Sequence, residues 1–437
     1  MLAYLKRHFG LKGLNYTILL ICIASWGPLY RAILDKLWML EGGIVTVGHW
    51  AQLQTLIEFV VSPISAGIAV GLSISVAQDQ KSSTSSILLS AYFLSLVIIL
   101  PFLVLLILFS RNVSAWIGLE ASYQTEIILC AIGGYLSIGT VLINGLFIGR
   151  NQQGKALALM CITGLPIVIM LVISNLWQLT YPVIWVLSTV IGVGLCANVW
   201  LLLHLYESIR DQGFRPQQIN EWVPKIAKFA PAGLSIGLLS PLCVLLTRSL
   251  LAHEQSWEVA GTATALWRAS DWVLSSVQTI LYFHYLPLLS KDALQGKMRS
   301  SVEKITLQIM IPSSIFLALL IVFRDSILHL LYDDQLNVSL EIALLFWSGD
   351  AARILSAIFL MALFVLHATK IITIWDFFSQ PLFILLLFIG MDASLRLTGI
   401  AYLLTYLVYF ALCIGAFIHL EKRYMKSGTD QMHTQAS

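Results

Sequence analysis

The feature that most constrains this chain is a succession of about twelve apolar runs, each long enough to cross a bilayer and followed by a short polar break. One span takes about 20 apolar residues. The runs fall near 14–38, 46–77, 84–109, 125–149, 156–177, 182–206, 224–250, 258–289, 302–323, 341–367, 370–390 and 397–420. They are too continuous for the alternating ten-residue strands of a membrane β-barrel. The expected fold is therefore an all-α polytopic membrane protein. Only 11% of the residues are charged and 58% are hydrophobic, against about 25% charged in a soluble domain. That balance excludes a disordered chain, a secreted disulfide scaffold and a nucleic-acid partner, and it speaks against an ordinary soluble enzyme. The six cysteines all sit in apolar runs without metal spacing and read as small buried hydrophobes. The basic start Lys6, Arg7, Lys12 leads into an uninterrupted apolar run and reads as a first span, not a cleavable signal.

An even number of spans puts both termini on one side. With the N-terminus cytoplasmic, the cytoplasmic segments hold eighteen Lys and Arg, including Lys81, Arg150, Lys155, Arg215, Lys422, Arg423 and Lys426. The opposite face holds six: Arg31, Lys36, Arg111, Arg248, Arg324 and Arg396. This positive-inside bias supports cytoplasmic N- and C-termini.

The chain divides into a six-helix half at 1–206, a polar linker at 207–223, a second half at 224–420 and a polar tail at 421–437. A weak repeat relates the halves. Gly48 aligned on Gly261 puts Leu53 on Leu266, Glu58 on Asp271 and Val60 on Val273, and Arg31 falls near Arg248. Both halves start on the same side, so the pseudo-twofold axis lies along the membrane normal, a known transporter design.

Six charges lie well inside spans: Glu58, Arg268, Asp271, Asp350, Arg353 and Asp376. Each costs roughly 2.5–3.5 kcal/mol on insertion scales, so each must face protein or water. Arg268 with Asp271, and Asp350 with Arg353, are i,i+3 pairs that share a helix face. They read as the lining of a polar cavity between the halves, or as self-neutralising pairs that lock helices together. Arg31 and Arg248, near the far ends of the first and seventh spans, read as snorkelling side chains or as a basic rim for a phosphate or acidic sugar. Glu58, Asp271 and Asp376 are candidates for ion coupling. Asn144, Asn175, Asn198 and Gln278 read as interhelical hydrogen bonders. The small-residue segment from Ser65 to Gly71 reads as close helix packing. No phosphate loop or His-Glu-x-x-His motif is present.

Three patches carry a family resemblance. Gly48-His49-Trp50-Ala51-Gln52-Leu53-Gln54, with Ala66-Gly67-Ile68 and Val76-Ala77-Gln78, resembles the start of the Wzx-type lipid-linked oligosaccharide flippases. Trp267-Arg268-Ala269-Ser270-Asp271 with Tyr285-Leu286-Pro287 is similar to that group's eighth helix. Gly349-Asp350, Arg353, Thr369-Lys370 and Asp376 look like its tenth and eleventh. The group belongs to the multidrug/oligosaccharidyl-lipid/polysaccharide (MOP) exporter superfamily.

The resemblance implies two six-helix lobes around a cavity that opens alternately to each side. It implies an undecaprenyl-pyrophosphate-linked glycan, moved from the cytoplasmic to the periplasmic leaflet of a bacterial inner membrane for O-antigen-like surface polysaccharide. Glycan polymerase and chain-length regulator are the partners it implies, beside membrane lipid. No cofactor is implied, only coupling to a proton or sodium gradient. Arg268, Asp271, Asp350 and Asp376 take over the family's roles. The chain departs from the pattern in having Asp at 376 where Glu is expected, and in a first half poor in central cations. The alternative readings are a drug/cation antiporter of the same superfamily and a membrane glycan polymerase or acyltransferase.

Overall fold

The computed structural model describes residues 2–78, 84–212, 216–332, 336, 338–389 and 394–435, and it is helical throughout its regular structure. Lys81 and Arg215, and the side chains of Lys6, Arg7, Lys12, Lys422, Arg423 and Lys426, lie outside the described residues.

The first long helical stretch, Leu2–Pro63, contains a turn. Gly43 has φ +72, a left-handed conformation that glycine adopts without a Cβ clash and that commonly ends a helix. One guanidinium, that of Arg268, hydrogen-bonds both Asp35 and Gln54. In a straight helix those residues would be separated by about 28 Å. The chain therefore folds back at Gly43, and Trp38 meets Trp50 with ring centroids 5.1 Å apart. This gives two helices, α1 (2–42) and α2 (44–78).

The other long helices are α3 (Thr84–Leu108), α4 (Gln124–Gly149), α5 (Gln153–Leu176), α6 (Pro182–Gln212), α7 (Ala230–Glu254), α8 (257–294), α9 (Met298–Val322), α10 (Leu340–Val365), α11 (Thr369–Ile389) and α12 (Leu395–Gln435). Among the described residues ten stretches are long and apolar enough to cross a membrane, and the one at Ala24–Ala77 takes in the second half of α1 and nearly all of α2. α8 is not among them, because its charges dilute its apolarity. The result is the twelve-helix, two-lobe membrane architecture that the apolar runs imply. Lipid-facing rows are evident, as on α3, where Phe93, Val97, Leu100, Val104 and Leu108 are exposed.

Two boundaries differ from the sequence reading. The segment expected as a polar linker at 207–223 is largely helical: α6 runs on to Gln212, and a short helix, Pro216–Ala227, precedes α7. That short helix buries Trp222 beneath the Lys225 ammonium, 4.1 Å from the ring centroid. The tail beyond 421 continues α12 as helix to Gln435.

The repeat has a spatial counterpart. Gly48 of α2 and Gly261 of α8, the residues that anchor the alignment, pack against each other, and a Cβ on Gly48 would lie 3.5 Å from the Gly261 Cα. Equivalent residues in mutual contact are what an axis passing between them produces. A π turn also interrupts each of these two helices, at Ile64–Ile68 in α2 and at Leu281–Tyr285 in α8. The small-residue segment packs closely on α7, as its composition suggests. A Cβ on Gly233 of α7 would fall 2.5 Å from the Gly67 Cα.

Gly233→Leu should force α2 and α7 apart and cost about 1–3 kcal/mol as an overpacking substitution. Gly192→Ala on α6, where nothing lies within 4 Å of the added methyl, should keep stability or raise it by up to about 1 kcal/mol, since alanine is the better helix former. Thermal unfolding of the two variants in detergent checks this pair of outcomes.

Candidate functional site

Of the charges that the sequence places inside the membrane, all but Asp376 converge where the α1–α2 hairpin meets α7, α8, α10 and α12. They divide into a buried layer and an open one.

The buried layer ties the lobes together. Arg268 is 7% exposed and forms an ion pair with Asp35, itself 2% exposed. Its other terminal nitrogen donates to Gln54 Oε1 at 2.6 Å, and Gln54 Nε2 in turn donates to Glu58 at 3.4 Å. Tyr332, in the connection after α9, donates its hydroxyl to Asp35 at 3.3 Å. Arg268 thus turns to Asp35 on α1, not to Asp271 on its own helix, so the expected Arg268–Asp271 pair does not form. The reason is direction. Arg268 lies among fully buried α8 neighbours that face the first lobe, whereas Asp271 points to the partly open side.

Arg248 also departs from expectation. It is neither a rim residue nor snorkelling but 6% exposed. It donates to the Ala51 carbonyl at 3.0 Å and to Thr55 Oγ1 at 2.8 Å on α2. Its guanidinium lies 5.9 Å from the Trp267 ring centroid, and its Nε has no partner among the described residues. Gln52 completes the clasp between the lobes. Its amide nitrogen lies 3.1 Å from the Ile117 carbonyl, 3.2 Å from that of Leu245 and 3.1 Å from Ser249 Oγ.

The open layer consists of Arg31, Asp271 and Arg353, with side chains 33%, 28% and 29% exposed. Asp271 lies 3.8 Å from Arg31 and 3.8 Å from Arg353. One carboxylate is thus shared by two guanidinium groups at distances beyond a hydrogen bond. Arg31 is well inside α1, about three turns from Gly43, so it too is no rim residue. Arg353 does pair with Asp350 along α10, at 3.9 Å. Its Nη1 donates to the Tyr402 hydroxyl at 3.2 Å, and its guanidinium lies over Tyr406.

Asp350 is 1% exposed and accepts from Ser270 Oγ and from the Tyr402 hydroxyl, both at 2.5 Å. Asp376 lies apart from this group. It is buried among α7, α11 and α12 and accepts from Ser235 Oγ at 2.9 Å and from the Tyr409 hydroxyl at 2.7 Å.

Beside the open layer lies a cavity of about 590 Å³ between α1, α8 and α9. Its walls include Pro28, Leu29, Trp272, Val273, Ile309 and Phe316. Ala32 and Trp272, also in its lining, are the chain neighbours of Arg31 and Asp271. The charged groups do not line the hollow themselves, but the two lie close together along the same stretches of α1 and α8. Of the expected hydrogen bonders, Asn198 bonds across helices to the Leu136 carbonyl. Asn175 bonds back to Leu171 on its own helix, and Gln278 is exposed.

Asp35 and Tyr332 were not among the sequence candidates. Asp35 stood too near the presumed end of the first span, and Tyr332 lay in a presumed loop. Asp35 did carry a signal, as an acid beside an apolar run one helical turn from Arg31.

No family model matches the chain. Over 218 residues, 48% of this chain and 50% of theirs, it is 22% identical to the Lipid III flippases of Escherichia coli (strain K12) and Shigella flexneri. The chain spans about half the length of the curated relatives it matches. Its structural likeness extends further. A MATE in complex with MaD3S superposes with TM-score 0.72 at 14% identity over 94% of both chains. The inward-facing conformation of a multidrug resistance MATE family transporter of the MOP superfamily gives 0.67 at 12% identity, over 93% of this chain and 99% of that one. This chain shares the fold of these MATE structures.

A MOP transporter from Pyrococcus furiosus, described as having a binding pocket of reversed polarity, superposes with TM-score 0.68 at 14% identity over 93% and 94%. The comparisons bear out the resemblance read from the short motifs, and the proteins they return are a flippase and transporters rather than enzymes.

Arg268→Ala should destabilise the fold by about 3–5 kcal/mol, because it leaves Asp35 buried without its cation. Asp35→Asn in the same chain should restore a large part of that loss. A double-mutant cycle on thermal unfolding reads the coupling, and additive losses would contradict the pairing.

Proposed function

We propose that this protein is a flippase for a lipid-linked oligosaccharide. It moves an undecaprenyl-pyrophosphate-linked glycan from the cytoplasmic to the periplasmic leaflet of a bacterial inner membrane by alternating access of its two lobes. The observation that carries this reading is the nearness of the open charge layer and the apolar cavity along α1 and α8. A ligand that fills both must have an ionic head and an apolar tail. Two guanidinium groups sharing one distant carboxylate favour an anionic head, because phosphate oxygens accept the planar fork of arginine better than a carboxylate at 3.8 Å does. The excess of Lys and Arg on one face supports cytoplasmic termini. The product then passes to glycan polymerase and chain-length regulator. Nothing in this cycle calls for a cofactor beyond an ion gradient.

The likeness to multidrug MATE structures favours a second reading, export of a drug or organic cation. That ligand would be drawn to Asp271 and repelled by its two arginines.

In a flippase-null strain, the wild-type chain should restore long surface glycan, and Arg353→Ala and Arg31→Ala at equal expression should lower it at least tenfold. Leu29→Trp, which fills the cavity without touching a charge, should do the same. Dye efflux restored by the chain, with surface glycan unchanged, would decide for the antiporter.

A further inference from the structure

At the end of the first lobe that carries the excess of Lys and Arg, a row of side chains runs across three helices, away from both the lobe seam and the open charge layer. Lys155 of α5 places its ammonium 5.9 Å from the ring centroid of Phe147 on α4, within cation–π range. Phe147 meets Trp200 of α6 with 6.2 Å between centroids. Trp200 in turn stacks on His204, one turn further along α6, at 5.5 Å and 7° between the ring planes. Arg150 stands in the turn between α4 and α5, three residues after Phe147.

Both cations are exposed, and neither forms an ion pair among the described residues. Two other cations on that face, by contrast, are neutralised along their own helices: Lys225 by Glu221 at 2.6 Å and Arg299 by Glu303 at 3.0 Å. Lys155 also heads an apolar stripe. Ala158, Ile162, Leu165 and Ile169 follow it on one face of α5 at three- and four-residue steps, all of them exposed. Beside it α6 exposes Val199, Trp200 and Leu203. Such stripes face lipid. A soluble phosphate or an acidic protein segment would answer the cations and leave the stripe below them uncovered. A molecule that covers both has an anionic head and acyl chains. The guanidinium fork and the ammonium match phosphate, and indole rings favour the head-group level.

The same corner is wedged against the other lobe. Phe147 packs on an apolar cluster in which Ile148 of α4 and Ala156 of α5 meet Phe283 of α8. Gln153, 4% exposed, uses its amide nitrogen twice, toward Asn151 Oδ1 at 2.5 Å and the Phe283 carbonyl at 3.5 Å. Phe283 lies in the π turn Leu281–Tyr285 of α8, and the Tyr282 hydroxyl of the same turn lies 3.1 Å from Ser73 Oγ on α2. A Cβ on Gly149 would fall 2.8 Å from the Ser73 carbonyl. The α4–α5 turn thus touches α2 on one side and α8 on the other. What holds this turn holds the lobes together at this end of the molecule.

We propose that Arg150, Lys155, Phe147, Trp200 and His204 form a binding site for the phosphate head of an anionic phospholipid of the surrounding bilayer, and that lipid seated there braces the contact between the α4–α5 turn and the π turn of α8. The acyl chains lie along the exposed stripes of α5 and α6, on the outer face of the first lobe. Basic pockets between membrane helices recognise lipid head groups in this way. The inference stands whatever the protein transports.

Native mass spectrometry of the full chain, released from micelles holding equal amounts of phosphatidylglycerol and phosphatidylcholine, reads the site. The wild type should retain phosphatidylglycerol in preference. Arg150→Gln combined with Lys155→Gln should weaken that retention about tenfold or more, the loss expected for two basic side chains at a membrane surface. Lys155→Arg should preserve it, as should Lys304→Gln, which removes an exposed cation on α9. Millimolar inorganic phosphate should not displace the lipid. Hydrogen exchange in nanodiscs reads the brace. Adding phosphatidylglycerol to phosphatidylcholine discs should slow exchange at Leu281–Tyr285 several-fold in the wild type and leave it unchanged in the double variant. Both substituted side chains are exposed, so thermal unfolding in phosphatidylcholine alone should match the wild type. Equal retention of the two lipids, retention that survives the double substitution, or displacement by inorganic phosphate overturns the lipid site. Exchange at Leu281–Tyr285 that ignores the lipid overturns the brace.

Discussion

The structure depends on one guanidinium held by both arms of a hairpin. Arg268 of α8 bonds Asp35 on α1 and Gln54 on α2. A charge in this position is expensive in lipid, and the expense is met only when the two lobes are together. Around it the chain arranges what such a contact requires: a sharp return at Gly43, glycines at 48 and 261 that let α2 approach α8, and Arg248 and Gln52 bonding the backbone of the facing lobe. The pair therefore acts as a registration mark between the lobes, a specificity role that buried ion pairs can serve even where they add little stability.

The sequence made some of this legible and hid the rest. Apolar run length located the helices because lipid allows few other solutions for a backbone. The position of α8 was readable although charge dilutes its hydropathy, since Arg268 and Asp271 still sit in an apolar frame. The Gly48–Gly261 repeat was readable because each glycine answers to the same close approach. Partner choice was not. Arg268 and Asp271 are neighbours in sequence, yet they serve different layers, and the deciding partner, Asp35, lies 233 residues away. Arg31 and Arg248 looked like rim residues because distance to the end of an apolar run was the only guide to depth. The Gly43 turn sets that depth correctly, and it leaves no trace in hydropathy.

The division into layers also orders the charged groups by task. Arg268, Asp35 and Arg248 are enclosed by protein and serve the seam. Arg31, Asp271 and Arg353 keep about a third of their side chains accessible and are the ones a ligand can touch. Asp350 lies between the two sets, bonded inward to Ser270 and Tyr402 and facing Arg353 outward.

The sequence distance between Asp35 and Arg268 also matters for how the protein is made. At 5–20 residues per second, Arg268 emerges from the ribosome roughly ten to fifty seconds after Asp35. During that interval the first hairpin is already complete, and its acid has only Arg31, one helical turn away, in place of the cation that holds it in the folded protein. The early hairpin must therefore wait at a hydrated protein surface, lean on Arg31 or carry Asp35 as the neutral acid. Its commitment to the bilayer is decided by a residue that has not yet been translated.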